Sequence, residues 1–281
     1  MRITIAFLLM LGNLGAMLFS DINTSPRALG RSGAFVASAE GLEAVHFNPA
    51  GVTEISNFEV QTYYKHLYSG LSVGLHNASI AVAKRWKNSV IAFNFQDFGA
   101  SLKGEYEGRY AEDVLTVTYG YSLSKYLRFG TNFSFYHLQE PRFGGTSSFG
   151  VDLGIITSIY KSWQMGVFVQ NLNAPSIHGD YDNYRLPRFI AFGMSLKPMR
   201  NAITEIAVRK EENYPARFMI GQELSLFKGM IGLRGGLLSE GELTKFSFGL
   251  DFNKAPLKIT YGMQYDPNLP LTHIIGVSYG R

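Results

Sequence analysis

"LRFGTNFSF", Leu127 to Phe135, decides the class of fold. Leu127, Phe129, Phe133 and Phe135 fall on one side of an extended chain; Arg128, Asn132 and Ser134 fall on the other. Helical spacing would mix the two sets, whereas a strand sends alternate side chains to opposite faces. "KFSFGLDF" (Lys245 to Phe252) and "LKITYGMQY" (Leu257 to Tyr265) repeat the pattern.

Counted from Asn57 onward, about fourteen such runs follow one another. Their spans are near 57–67, 77–86, 88–98, 111–122, 125–138, 147–160, 163–173, 187–197, 202–210, 215–226, 229–239, 243–253, 256–265 and 271–279. Most reach the ~9–11 tilted residues that cross a bilayer, against ~5–6 for a globular strand. The connections alternate in length. Long ones ("GASLKGEYEGRY", "QEPRFGGTSS", "LNAPSIHGDYDNYRL") take turns with tight ones ("WKN", "SK", "KS", "KG"). Long loops on one rim and short turns on the other characterise an outer-membrane barrel. Lys87, Lys125, Lys161, Lys197, Lys228 and Lys254 mark the tight turns, and acids such as Glu105, Glu107, Asp180, Asp182 and Glu240 mark the long loops. Tyr63, Tyr64, Trp86, Tyr119, Tyr121, Tyr160, Trp163 and Tyr265 stand near strand ends, as interfacial girdles require. A soluble sandwich or lipocalin-like barrel alternates too, with its apolar face turned inward. Strand length, loop asymmetry and terminal aromatics favour the membrane orientation: an all-β, fourteen-stranded antiparallel transmembrane β-barrel.

Composition excludes several functions. Among 281 residues there is no Cys, so neither disulfides nor thiolate chemistry arises. Charged residues make up 17%, the net charge is +4, and no basic run exists to hold nucleic acid. The six histidines (His46, His66, His76, His137, His178, His273) show no metal-ligating spacing. With no Gly-x-Ser-x-Gly elbow or phosphate loop either, the expectation is a non-enzyme without cofactor or metal.

Residues 1–20 read as a secretory signal: Arg2, a mostly apolar stretch, and small Ser20 before Asp21. Export leaves 21–56 as an N-terminal plug and 57–281 as the barrel. Residues 21–56 lack strand alternation and are rich in Gly and Ala, which suits close backbone approach. Asn48-Pro49 is a turn initiator. Eight strands fill their own interior and sixteen leave a channel, so a lumen of about fourteen strands needs a filling.

Ala28, Leu29 and Gly30, then Gly33, Ala34, Phe35 and Val36, and finally Asn48, Pro49, Ala50 and Gly51, carry a resemblance. In this spacing they resemble the N-terminal segment of FadL-type and PorV-type outer-membrane proteins. "FGVDLGIITS", "GVFVQNL" and "LPRFIAFGMSL" resemble PorV-like chains more closely. The resemblance implies a barrel plugged by an N-terminal hatch. It implies either a partner in protein secretion and surface attachment (PorV-type) or a transporter of hydrophobic molecules with a lateral opening (FadL-type). The chain departs from the family in its modest loops and in ending "VSYGR" rather than on an aromatic residue.

By strand parity Arg128, Asp152, Glu205, Arg209, Arg217, Glu223 and Arg234 face the lumen and need partners there, on the hatch or across strands. "VIAFNFQDF" puts Asp97 on the outward set after Phe93 and Phe95. Either Asp97 stands at headgroup level, or a bulge at Gln96, Asp97 and Gly99 turns it inward and opens the wall. The main expectation is a secretion partner anchored in outer-membrane lipid, engaging a cargo protein. The alternative is a transporter for fatty acids or other hydrophobic small molecules.

Overall fold

The protein is described from a computed structural model, which covers residue 19 and residues 24–68, 75–102, 108–140, 144–160, 162–178, 183–212 and 214–280. The expected signal segment lies outside these apart from Phe19, as do Glu105, Glu107, Lys161, Asp180 and Asp182.

Among the described residues, sixteen strands follow in chain order: β1 (Phe58–His66), β2 (His76–Trp86), β3 (Ser89–Leu102), β4 (Gly108–Ser122), β5 (Leu127–Glu140), β6 (Gly144–Tyr160), β7 (Trp163–Gln170), β8 (Ser176–His178), β9 (Asn183–Arg185), β10 (Phe189–Met199), β11 (Ala202–Glu211), β12 (Arg217–Leu226), β13 (Ile231–Glu240), β14 (Leu243–Lys254), β15 (Leu257–Asp266) and β16 (Leu269–Gly280). Fourteen close into one antiparallel barrel, with β16 returning to pair β1. β8 and β9 form a separate hairpin in the long connection between β7 and β10. Ile177 and Leu186 of this connection are buried with Tyr110, Val114 and Tyr136 of the wall.

The outward faces are apolar and the inward faces polar, the inverse of a soluble barrel. Phe93, Phe133, Phe135, Phe246, Phe248 and Ile275 are exposed, while Asn94, Thr116, Thr118, Asn132 and Ser134 are buried. Only lipid favours such a surface, so the barrel is a transmembrane one. Trp86, Tyr119, Tyr121, Tyr160 and Trp163 form an exposed girdle toward the tight-turn rim, and Tyr64 and Tyr265 stand exposed toward the other. Tyr63 corrects the expectation: it points inward, is buried, and its hydroxyl accepts from Gln96 Nε2 at 2.7 Å. In the Tyr63-Tyr64 pair residue type cannot say which ring faces out, because both are aromatic.

Two of the expected long loops are largely strand. β3 runs on to Leu102, β4 begins at Gly108, β5 ends at Glu140 and β6 begins at Gly144. The register explains why hydrophobic alternation stops earlier. Ile80, Phe95, Leu115, Phe135 and Phe149 form one outward row of register partners; Ala78, Asp97, Asp113, His137 and Ser147 form the next. The backbone ladder crosses that boundary unchanged, because its hydrogen bonds do not depend on what the outer surface touches.

Asp97 therefore belongs to the first polar row above the lipid-facing one. The ladder runs without a shift through Gln96, Asp97 and Gly99 to both neighbours, which agrees with the headgroup-level alternative and not with a bulge that turns Asp97 inward. Asp97 Oδ1 lies 3.2 Å from His76 Nε2, and Oδ2 pairs with the exposed Arg109 guanidinium. Because such partly exposed pairs contribute little, Asp97→Asn is expected to cost about 0.2–1 kcal/mol in urea unfolding. A loss above about 3 kcal/mol would mean a buried carboxylate and refute this placement.

Candidate functional site

Residues 24–56 lie inside the barrel. The segment opens with a single turn, α1 (Pro26–Leu29), whose Ser25 cap accepts from Ala28 N at 3.1 Å. Two short 3₁₀ helices follow, Leu42–His46 and Pro49–Glu54. Asn48 caps the second: its Oδ1 accepts from Ala50 N at 3.2 Å. Its Nδ2 faces the carbonyls of Val36, Ile155 and Val167 at 2.9, 3.1 and 3.2 Å. One side chain thus starts a helix, ties it to the preceding loop and pins both to β6 and β7. Pro49 fits because the first helical position needs no N–H.

The other motif residues are placed by close contact. Ala28, Ala34 and Ala50 are wholly buried, and Leu29 borders a cavity described below. A Cβ on Gly30 would come 2.9 Å from Gly249 Cα, and one on Gly51 would overlap the Ala39 carbonyl. Gly33 has φ +85°, a left-handed conformation that favours glycine. Phe35 is fully buried, with the Arg27 and Arg31 guanidiniums 5.3 and 5.4 Å from its ring centre.

All fourteen barrel strands meet this segment. Inward glycines make room for it on most of them: Gly120 under Val52, Gly130 and Gly154 under Pro49, Gly166 and Gly193 under Val36 and Ala37, Gly221 and Gly236 under Arg31, Gly249 under Gly30, Gly262 and Gly276 under Pro26. Polar side chains complete the ring. Glu59 of β1 approaches Leu42 N at 3.5 Å, Arg85 Nε of β2 donates to Ile55 O at 2.6 Å, and Asn94 Oδ1 of β3 bonds His46 Nε2 at 3.1 Å. Burial pushes the His46 imidazole down to about 4, which keeps it neutral at physiological pH.

On β11, Glu205 receives the backbone N–H groups of Val36, Ala37 and Ser38 at 2.5, 2.9 and 2.9 Å, the Ser38 hydroxyl at 2.5 Å and Arg31 Nη2 at 3.4 Å. Glu223 receives Arg27 Nε at 2.8 Å and Arg234 Nε at 3.2 Å; Arg234 Nη1 in turn donates to Asp251 at 2.8 Å. Arg128 pairs with Glu54. Asp152 accepts from Asn132 Nδ2 at 2.9 Å and Asn171 N at 2.8 Å, while Asn132 also donates to Val45 O. Arg209 and Arg217 stand apart from the segment, paired with Glu211 at 3.0 Å and Glu240 at 2.8 Å. The structure thus joins Arg128, Glu205 and Glu223 directly to the segment and leaves the other lumen charges paired along the wall. Sequence reasoning missed the partners Arg27, Arg31 and Glu54, and missed the glycines. The latter had left a signal, one small residue inside nearly every strand.

Among the described residues, the segment lies between two cavities. The one toward the long-loop rim, about 320 Å³, is walled by Leu29, Val36, Phe47, Phe168, Phe189, Met219 and Leu238, with Arg209, Arg217 and Lys245 among its polar groups. The Arg209 guanidinium stacks 3.6 Å from the Phe189 ring centre. The other cavity, about 270 Å³ toward the tight-turn rim, is lined by charges: Arg27, Glu40, Glu43, Glu54, Glu59 and Lys258. The first offers apolar surface beside its charged groups, and the second offers little.

No protein-family model matches the chain, and no curated protein matches its sequence. Solved structures do resemble it. A TodX deltaS2S3 mutant, described as a monoaromatic hydrocarbon channel, superposes with TM-score 0.69 at 9% identity, over 92% of this chain and 98% of its own. The Pseudomonas putida toluene transporter TodX gives 0.64 at 10% identity, over 93% and 99%. A Pseudomonas aeruginosa FadL homologue gives 0.62 at 9% identity, over 92% and 98%. At such identities the likeness is one of fold: this chain has the fourteen-stranded barrel architecture of FadL-type channels.

Proposed function

We propose that the protein is a bacterial outer-membrane channel for small hydrophobic molecules, with residues 24–56 as its hatch. The observation that carries this reading is the cavity of about 320 Å³ between the long-loop rim and the segment that fills the lumen, where Val36, Phe47, Phe168, Phe189, Met219 and Leu238 offer an apolar wall beside charged groups. Its volume lies in the range of small-molecule sites. The FadL-type fold supports the same conclusion, since the neighbours bear the names of hydrocarbon and toluene channels. The competing expectation, a secretion partner that hands on cargo, has no supporting neighbour among these and is set aside. No catalytic role is assigned.

The test is uptake of radiolabelled toluene by outer-membrane-intact cells that express the protein. Expression is expected to raise uptake above an empty vector, and Met219→Trp, which fills the cavity, to reduce the gain by about tenfold. Uptake equal to the empty vector, with the barrel folded and inserted, overturns the reading.

A further inference from the structure

The two rims of the barrel treat their charges differently. On the long-loop side cations meet acids of the same chain: Arg209 with Glu211 at 3.0 Å, Arg217 with Glu240 at 2.8 Å, Lys245 with Asp266 at 2.8 Å, and Arg109 with Asp97. The tight-turn side has no such balance. Lys87 lies between β2 and β3, Lys125 between β4 and β5, Lys197 near the end of β10, Lys228 between β12 and β13, and Lys254 at the end of β14. None of the connecting stretches 86–89, 122–127, 196–202, 226–231 and 253–257 contains an Asp or Glu. All five lysines are exposed, and none of them forms an ion pair among the described residues.

Neighbouring rings fix their depth. Trp86 precedes Lys87, Tyr126 follows Lys125 and Phe227 precedes Lys228, and these rings are 68%, 52% and 70% exposed. Large outward rings mark the boundary between acyl chains and water. A lysine one residue away lays its stem along that belt and carries its ammonium to the level of the lipid phosphates. Lys125 shows the start of this geometry, with Nζ 4.9 Å from the Tyr126 ring centre. A zwitterionic headgroup brings its own cation and leaves the lysine charge unanswered, whereas a net-negative headgroup neutralises it. Successive lysines stand at least two strands apart, about 10 Å along the rim, so each meets a different headgroup.

We propose that the tight-turn rim is a docking surface for net-anionic phospholipid headgroups, which its ring of lysines gathers from the leaflet it faces. The selection concerns the lipids around the barrel and stands whatever passes through the lumen.

Both tryptophans of the chain report on this rim: Trp86 beside Lys87, and Trp163 opposite Leu196, next to Lys197. The experiment reconstitutes the protein in vesicles of phosphatidylcholine mixed with phosphatidylglycerol, one of the two brominated near the headgroup end of its acyl chains, and follows tryptophan quenching. At low salt phosphatidylglycerol is expected to displace phosphatidylcholine with a relative binding constant of about 3–5, falling toward unity in ~1 M KCl. Lys87→Gln combined with Lys197→Gln should at least halve the preference, with strand content by circular dichroism unchanged. Arg188→Gln combined with Lys210→Gln is the control. It removes the same charge from exposed positions on the opposite rim and should keep the parent's preference. No preference in the parent at low salt overturns the proposal, as does an undiminished one in Lys87→Gln with Lys197→Gln. Equal losses in the two double variants overturn it too, because net charge and not this rim would then set the preference.

Discussion

Replacing Glu205 with Gln is expected to turn a closed barrel into one that conducts ions. Glu205 and Arg31 are both fully buried, at 3.4 Å. The same carboxylate gathers three consecutive backbone N–H groups and a hydroxyl. Gln offers one oxygen where two were used, and sets its own NH₂ against donors. Arg31 would keep only Glu223, at 3.6 Å. Breaking a buried pair from one side costs about 3–5 kcal/mol, because the remaining charge stays desolvated. The loss falls on residues 24–56 rather than the barrel, since the Glu205 backbone pairs with β10 and β12 whichever side chain it bears. Single-channel recording in planar bilayers should therefore show openings absent from the parent, while strand content by circular dichroism is unchanged. The double variant Arg31→Met with Glu205→Gln removes the cation left unpaired and keeps an acceptor for the backbone N–H groups, and is expected to leak less than Glu205→Gln alone. A silent Glu205→Gln barrel would show that the carboxylate does not anchor the segment.

The wall was legible in the sequence and its filling was not. The physical reason is periodicity. Phe129, Phe133 and Phe135 alternate because lipid touches every second residue, and a single chain displays that pattern by itself. Hydrophobic alternation stops at the bilayer surface, so Gly99 to Leu102 looked like loop although the ladder continues there. The N-terminal segment follows no period. Its backbone groups find partners on strands far along the chain: Val45 O on Asn132, the Val36 amide on Glu205. Parity identified Glu205 and Glu223 as inward charges, yet which cation answers each is decided only when the sheet closes. The seam itself has the same origin, for His66 and His273 lie near opposite ends of the barrel sequence and become register partners where β16 meets β1. Asn48 is the intermediate case. Its turn chemistry was readable, and its hold on the Ile155 and Val167 carbonyls was not.

The glycines give the second large effect, Gly130→Val. Gly120, Gly130 and Gly154 are register partners on β4, β5 and β6, and together make a flat patch on which the Pro49–Glu54 helix rests. A Cβ on Gly130 would overlap the Pro49 carbonyl and the Ala50 amide nitrogen, both backbone. No rotamer relieves that contact. Overpacking against side chains typically costs about 1–3 kcal/mol, and here helix or strand must move instead. Strand β5 is held by a continuous ladder on both sides, so the helix is the part that yields. Gly130→Val is expected to expel residues 24–56 from the lumen, making them cleavable by added protease in intact micelles and opening a conducting pore. Gly235, which points outward, is the control: its added Cβ would meet only Ser247 O, at 4.0 Å. Gly235→Ala should shift stability by no more than about 0.5 kcal/mol and leave the segment protected. If Gly130→Val stays closed and protease-resistant, the helix is not seated on this patch, and the ring of inward glycines must be explained by something other than contact with the N-terminal segment.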